Sequence, residues 1–130
     1  VNIGGHLGHD ALISLLHEAR ARCFAANGWS EVEVEPPATG IIMADLAVQY
    51  LGEAFFGDRL RINISARDFG TKGCDLIYRI LRVARSDGQP ETEDSAEIAR
   101  AKTGLVFFDY AARQAVEIPA AFRAVFGESA

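Results

Sequence analysis

The apolar residues of this chain change their period once. Over residues 10–27 they recur every three or four positions, and beyond residue 40 they alternate. Leu12, Leu15, Leu16, Ala19, Cys23 and Ala26 fall on one face of a helix, while Ser14, His17, Glu18, Arg22 and Ala25 lie mostly on the other. Asp10 suits an N-cap or first-turn acid, Glu18 and Arg22 are four apart in the favourable order, and Asn27-Gly28 is a stop signal. Such a helix is roughly 27 Å long at about 1.5 Å per residue, the width of a small domain. Further on, Arg59 to Arg67 alternates without a break. Leu60, Ile62, Ile64 and Ala66 point one way, and Arg59, Arg61, Asn63, Ser65 and Arg67 the other, as in a strand with one wet face. One long helix followed by strands points to an α+β layer architecture.

The remaining segments fit that order. Residues 30–40 read as a loop, with an exposed acidic run (Glu31, Glu33, Glu35), Pro36-Pro37 and Gly40. Residues 41–56 are β-rich, with Leu46, Val48 and Tyr50 alternating against Asp45, Ala47 and Gln49, and Gly57-Asp58 marks a turn. Gly70 and Gly73 bracket Thr71-Lys72, a β run follows over 74–85, and a polar loop closes it. A strand is expected over 96–109, with Ala99, Ala101, Thr103, Leu105 and Phe107 on one side. A short piece near 114–118 is expected to pair back on it. Pro119 then opens a short helix with Phe122, Val125 and Phe126 apolar and Gly127 at its end. Val83 and Val106 on the second face of the sheet hint at a covering partner.

The 130 residues make one domain, 1–130, too short for a TIM barrel. Hydrophobic residues at 49% and charged residues at 24% describe an ordinary globular chain. Thirteen Lys and Arg against eighteen Asp and Glu give a net charge of −5, which argues against nucleic acid as a partner. Cys23 and Cys74 match no metal or redox spacing, and a buried reduced Cys23 suits a cytoplasmic protein. No apolar run reaches the roughly 18 residues of a membrane span. The start at Val1 rather than Met leaves room for residues upstream.

The first ten residues, Val1-Asn2-Ile3-Gly4-Gly5-His6-Leu7-Gly8-His9-Asp10, crowd glycines and histidines against the start of the long helix. Free N–H groups and the positive end of a helix can polarise a carbonyl. This stretch resembles the opening motif of the hotdog-fold thioesterases, in the 4-hydroxybenzoyl-CoA thioesterase-like group. The resemblance runs through Asn2-Ile3-Gly4-Gly5-His6, His17-Glu18-Ala19-Arg20 and Gly28. It continues through Val48-Gln49-Tyr50, Gly57-Asp58, Thr71-Lys72-Gly73 and Ile118-Pro119, covering residue 2 to about 119. It implies a hotdog fold, a long central α-helix wrapped by a curved antiparallel β-sheet with a short C-terminal helix. It also implies a homodimer, or a dimer of dimers, acting on an acyl-CoA or acyl-carrier-protein thioester. Coenzyme A would enter only as part of the substrate, with no other cofactor and no metal.

At the position of the family's hydrolytic carboxylate this chain has Asn2, and an amide is a poor base and no nucleophile. The resemblance therefore places catalysis on Asn2, His6 and His9, a neutral imidazole being a competent base near pH 7. It places substrate contacts on Gly5, Asp10, Tyr50, Thr71 and Lys72. Glu18 is the reserve acid, because a second hotdog branch carries its working acid on the helix. Arg59, Arg61, Arg67 and Lys72 read as a solvated strand face or as contacts to the phosphates of coenzyme A. The alternative function is a non-catalytic hotdog module that binds acyl-CoA, favoured by Asn2. A hydratase is disfavoured, because Ile3 stands where its motif needs Pro.

Overall fold

The computed structural model describes the backbone of residues 9–55, 57–84 and 96–127, and the side chains of these residues except 9 and 10. In chain order the elements are α1 (His9–Ala26), β1 (Thr39–Tyr50), β2 (Arg59–Arg67), β3 (Gly73–Ala84), β4 (Ala96–Asp109), β5 (Gln114–Ala115) and α2 (Ala120–Phe126). Periodicity places the helix to within a residue and places the strands at 59–67 and 96–109. The β-rich run over 41–56 is cut short, with β1 ending at Tyr50. The segment near 114–118 pairs back through Gln114 and Ala115, against Asp109 and Phe108, and through the Val116 N–H, which donates to the Phe107 carbonyl at 2.9 Å.

The strands form one antiparallel sheet in the order β1-β4-β3-β2, with β5 added to β4. Its inner face carries Cys74, Leu76, Tyr78 and Ile80 of β3 beside Ala99, Ala101, Thr103, Leu105 and Phe107 of β4, all buried. On β2 the alternation of half-buried and exposed residues holds along its whole length. Leu12, Leu16 and Phe24 of α1 join the same core. Phe122 of α2 lies at the centre of an aromatic cluster, with ring centroids 4.8 Å from both Phe107 and Phe126 and 5.7 Å from Trp29.

Three expectations are corrected. The buried stripe of α1 is Leu12, Leu16, Arg20 and Phe24, a strict four-residue step. Cys23 beside it is half-buried rather than buried, because Phe24 fills the core position. Glu31 does not belong to a wholly wet acidic run, since it turns in to meet Arg20. Val125 is 51% exposed, because a seven-residue helix buries only the face carrying Phe122 and Phe126. Among the described residues, no helix is long and apolar enough to cross a membrane.

Candidate active site

The C-terminus of α1 sets the site's floor. Gly28, at φ 78°, adopts the left-handed conformation that closes a Schellman turn, with the Gly28 N–H donating to the Ala25 carbonyl (3.0 Å) and the Trp29 N–H to that of Phe24 (2.9 Å). Trp29 packs edge-on against Phe24, the hydrophobic contact such turns favour. The reversed chain then brings Glu31 back alongside the helix. Its carbonyl accepts from the Ile41 N–H at 2.7 Å, and Gly40 permits this approach, because a Cβ there would run into the Glu31 carbonyl.

Arg20, 4% exposed, is met there by the Glu31 carboxylate through Nε. Its Nη1 donates to the Tyr78 hydroxyl (3.1 Å) and its Nη2 to His17 Nδ1 (2.9 Å), while Tyr78 and Thr103 share a hydrogen bond of 2.9 Å. Arginine has no acceptor, so in this bond His17 Nδ1 accepts. Burial works against the Arg20 charge, yet the bonds to Tyr78 and Glu31 more than offset it and raise its pKa.

Beside this network lies a cleft of about 650 Å³ between α1 and the exposed stretch of β1. Ile13, Leu16, Met43 and Leu46 give it apolar walls, and Ser14, His17, Glu18, Arg20 and Thr103 supply polar groups. Met43 and Leu46 are three apart, which in a regular strand would set them on opposite faces. A bulge at Ala44 brings both to the cleft, since Met43 pairs with Leu105 and Asp45 with Gly104. The Asp45 carboxylate accepts from the Gly104 N–H (2.8 Å) and from Lys102 (3.3 Å), which fixes the bulge. An apolar trough with a few convergent polar groups is what a small organic ligand needs.

Of the residues singled out from sequence, Glu18 lines this cleft, with its Oε1 also accepting from Arg22 at 2.9 Å. Tyr50 ends β1, 47% exposed, and Thr71 and Lys72 lie exposed between β2 and β3. Their carbonyls accept from Ile118 and Phe107. None of these three lines the cleft. Asn2, Gly5 and His6 lie outside the described residues. His9 and Asp10 open α1, and their side chains lie outside what is described. Sequence reasoning placed His17 on the outer face and gave Arg20, Tyr78 and Thr103 no role; Arg20 was visible only as the last residue of His17-Glu18-Ala19-Arg20. Among the described residues, no group of three or more His, Cys, Asp or Glu side chains converges to hold a metal ion.

Solved structures that resemble the chain include the 1,4-dihydroxy-2-naphthoyl-CoA thioesterase of Synechocystis, at 16% identity over 97% of this chain and 86% of that one, with a TM-score of 0.76. A thioesterase-superfamily protein of Jannaschia sp. CCS1 matches at 17% identity over 97% and 73%, with a TM-score of 0.77. The DHNA-CoA thioesterase of Staphylococcus aureus matches at 14% identity over 90% and 72%, with a TM-score of 0.68. At such identities the likeness is one of fold, the hotdog thioesterase fold. No curated protein matches the chain. The thioesterase-like superfamily profile matches residues 1–126, nearly the whole sequence. With its antiparallel sheet, two helices and cleft along α1, the chain belongs to the thioesterase-like superfamily.

Proposed function

We propose that the protein hydrolyses an acyl-CoA or acyl-carrier-protein thioester to the free acid and thiol, within the 4-hydroxybenzoyl-CoA thioesterase-like group. The observation that carries this reading is the mostly apolar cleft along α1 in a chain of this superfamily. The acyl group lies in the cleft, and the thioester carbonyl is held at the N-terminus of α1, where the N–H groups of the first turn stabilise the developing oxyanion. A water attacks the carbonyl carbon and gives its proton to a base. The C–S bond then breaks, and the thiolate leaves and is protonated. His6 or His9 takes the base's part, Asn2 orients the water, and Glu18 is the acid in reserve. Gly5 and Asp10 shape the turn around the carbonyl, and Tyr50, Thr71 and Lys72 contact more distant parts of the substrate. Exposed Arg59, Arg61 and Arg67 of β2 give an acidic protein a local cationic surface for the phosphates of coenzyme A.

In this reading the sheet wraps α1 as its central helix, which the shared core of Leu12, Leu16 and Phe24 with the strands supports. The site is completed by a second copy. Among the described residues β1 is an edge strand, with Met43, Leu46 and Tyr50 all more than a third exposed, the kind of edge that invites pairing. Two free cysteines suit a reducing, cytoplasmic setting.

Thiol release from short, long and aromatic acyl-CoAs tests the reading. Turnover with at least one class is expected, and none with any defeats it. Asn2 favours a second reading, a module that binds acyl-CoA without hydrolysing it. Tight calorimetric binding of a non-hydrolysable acyl-CoA without turnover of its ester would establish that alternative.

A further inference from the structure

We propose that the Thr103 hydroxyl is a specificity-determining donor in the cleft, selecting acyl groups that carry an oxygen acceptor, hydroxy or oxo, over plain alkyl groups. The inference rests on the acyl-thioester reading above and adds to it a preference among acyl groups. Donor counting carries it. The guanidinium of Arg20 can only donate, so the Tyr78 oxygen accepts from it. Tyr78 is fully buried, and its own proton needs an acceptor. Thr103 Oγ1, at 2.9 Å, is the acceptor it reaches among the described residues, so Tyr78 donates and Thr103 accepts.

The Thr103 proton is then left without an acceptor among the described residues, on a residue that is 2% exposed and belongs to the lining of the cleft. Glu31 holds Arg20 in place from the other side. Leu16, Met43 and Leu46 give the same cleft apolar walls, and neither of its other side-chain oxygens, those of Ser14 and Glu18, is hydrogen-bonded to Thr103. A buried donor facing such walls is costly until a ligand oxygen meets it. A ligand without that oxygen leaves the cost in place.

Hydrolysis is measured on straight-chain acyl-CoAs and on their hydroxy and oxo counterparts of equal length. Binding of the matching free acids is measured by calorimetry. The wild-type protein is expected to favour the oxygenated member in both readouts. Thr103→Val removes the proton at nearly equal volume and cuts the preference about tenfold, through kcat/KM of the oxygenated substrate. Thr103→Ser retains it. Equal losses on both members of a pair, or a wild-type protein that does not discriminate, overturn the proposal. Thr103→Ala replaces Thr103→Val if the latter does not fold. The binding arm needs no turnover, so a protein that hydrolyses nothing yet prefers the oxygenated acid defeats the thioesterase reading and leaves this one standing.

Discussion

Arg20 is the residue on which the floor of the cleft depends. It is nearly inaccessible and is met by Glu31, Tyr78 and His17, so truncation strands a carboxylate and a buried phenol together. Breaking one side of a buried pair costs several kcal/mol, and because Glu31 is 27% exposed and can regain water, the lower end applies. Arg20→Ala is expected to lose about 3 kcal/mol of unfolding free energy in urea titrations; a loss below about 1 kcal/mol, the scale of a surface pair, would show that the network is not structural. The two thiols make a second contrast at this scale. Burial, reinforced by Asp75 and partly opposed by Arg123, raises Cys74 to about 11, while burial raises half-buried Cys23 in the same direction without sealing it off. A thiol-labelling reagent near pH 8 is expected to modify Cys23 first and Cys74 only on unfolding. Faster labelling of Cys74 would contradict the placement of β3.

At the scale of elements, Glu97 ties β3 to β4 across the outer face, with its carboxylate accepting from Arg79 and Arg100 at 2.9 Å each. Arg100 and then Arg79 hold its pKa down, from 4.5 to about 2. A carboxyl lowered in the folded state stabilises it above the ordinary range, and that contribution disappears as pH falls from about 4.5 toward 2. Glu97→Gln is therefore expected to flatten the stability profile over that interval, and added salt to do the same to the wild type. An unchanged acid limb in Glu97→Gln counts against the pairing.

The same scale shows why some elements were legible in the sequence and some features were not. β2 could be read residue by residue because every second side chain meets water, so burial follows directly from period two. The bulge at Ala44 is invisible to that logic, since it exists only in the register against β4. Arg20 reads as an interruption of an apolar stripe, because its partners Glu31 and Tyr78 lie 11 and 58 positions away. Glu18 was legible because a motif flagged it. Thr103 was read as one more inward residue of β4, with nothing to mark its hydroxyl.

Across the whole molecule, an acidic chain of net charge −5 exposes three arginines along one face of β2 and, among the described residues, leaves β1 as an edge with exposed Met43, Leu46 and Tyr50. Both features are what the proposed reading requires, a cationic surface for the phosphates of coenzyme A and an edge for a second copy. Light scattering on the purified protein is expected to give twice the mass of the chain or a multiple of that, and a monomer at micromolar concentration would contradict the edge pairing. Hydrolysis at the start of α1 is tested by thiol release from acyl-CoA by the wild type beside His6→Ala and His9→Ala. The expected result is turnover by the wild type and loss of about a hundredfold or more in kcat for one of the two variants. Full activity in both variants would contradict the placement of the base, and no release from any acyl-CoA by the wild type would contradict the function itself.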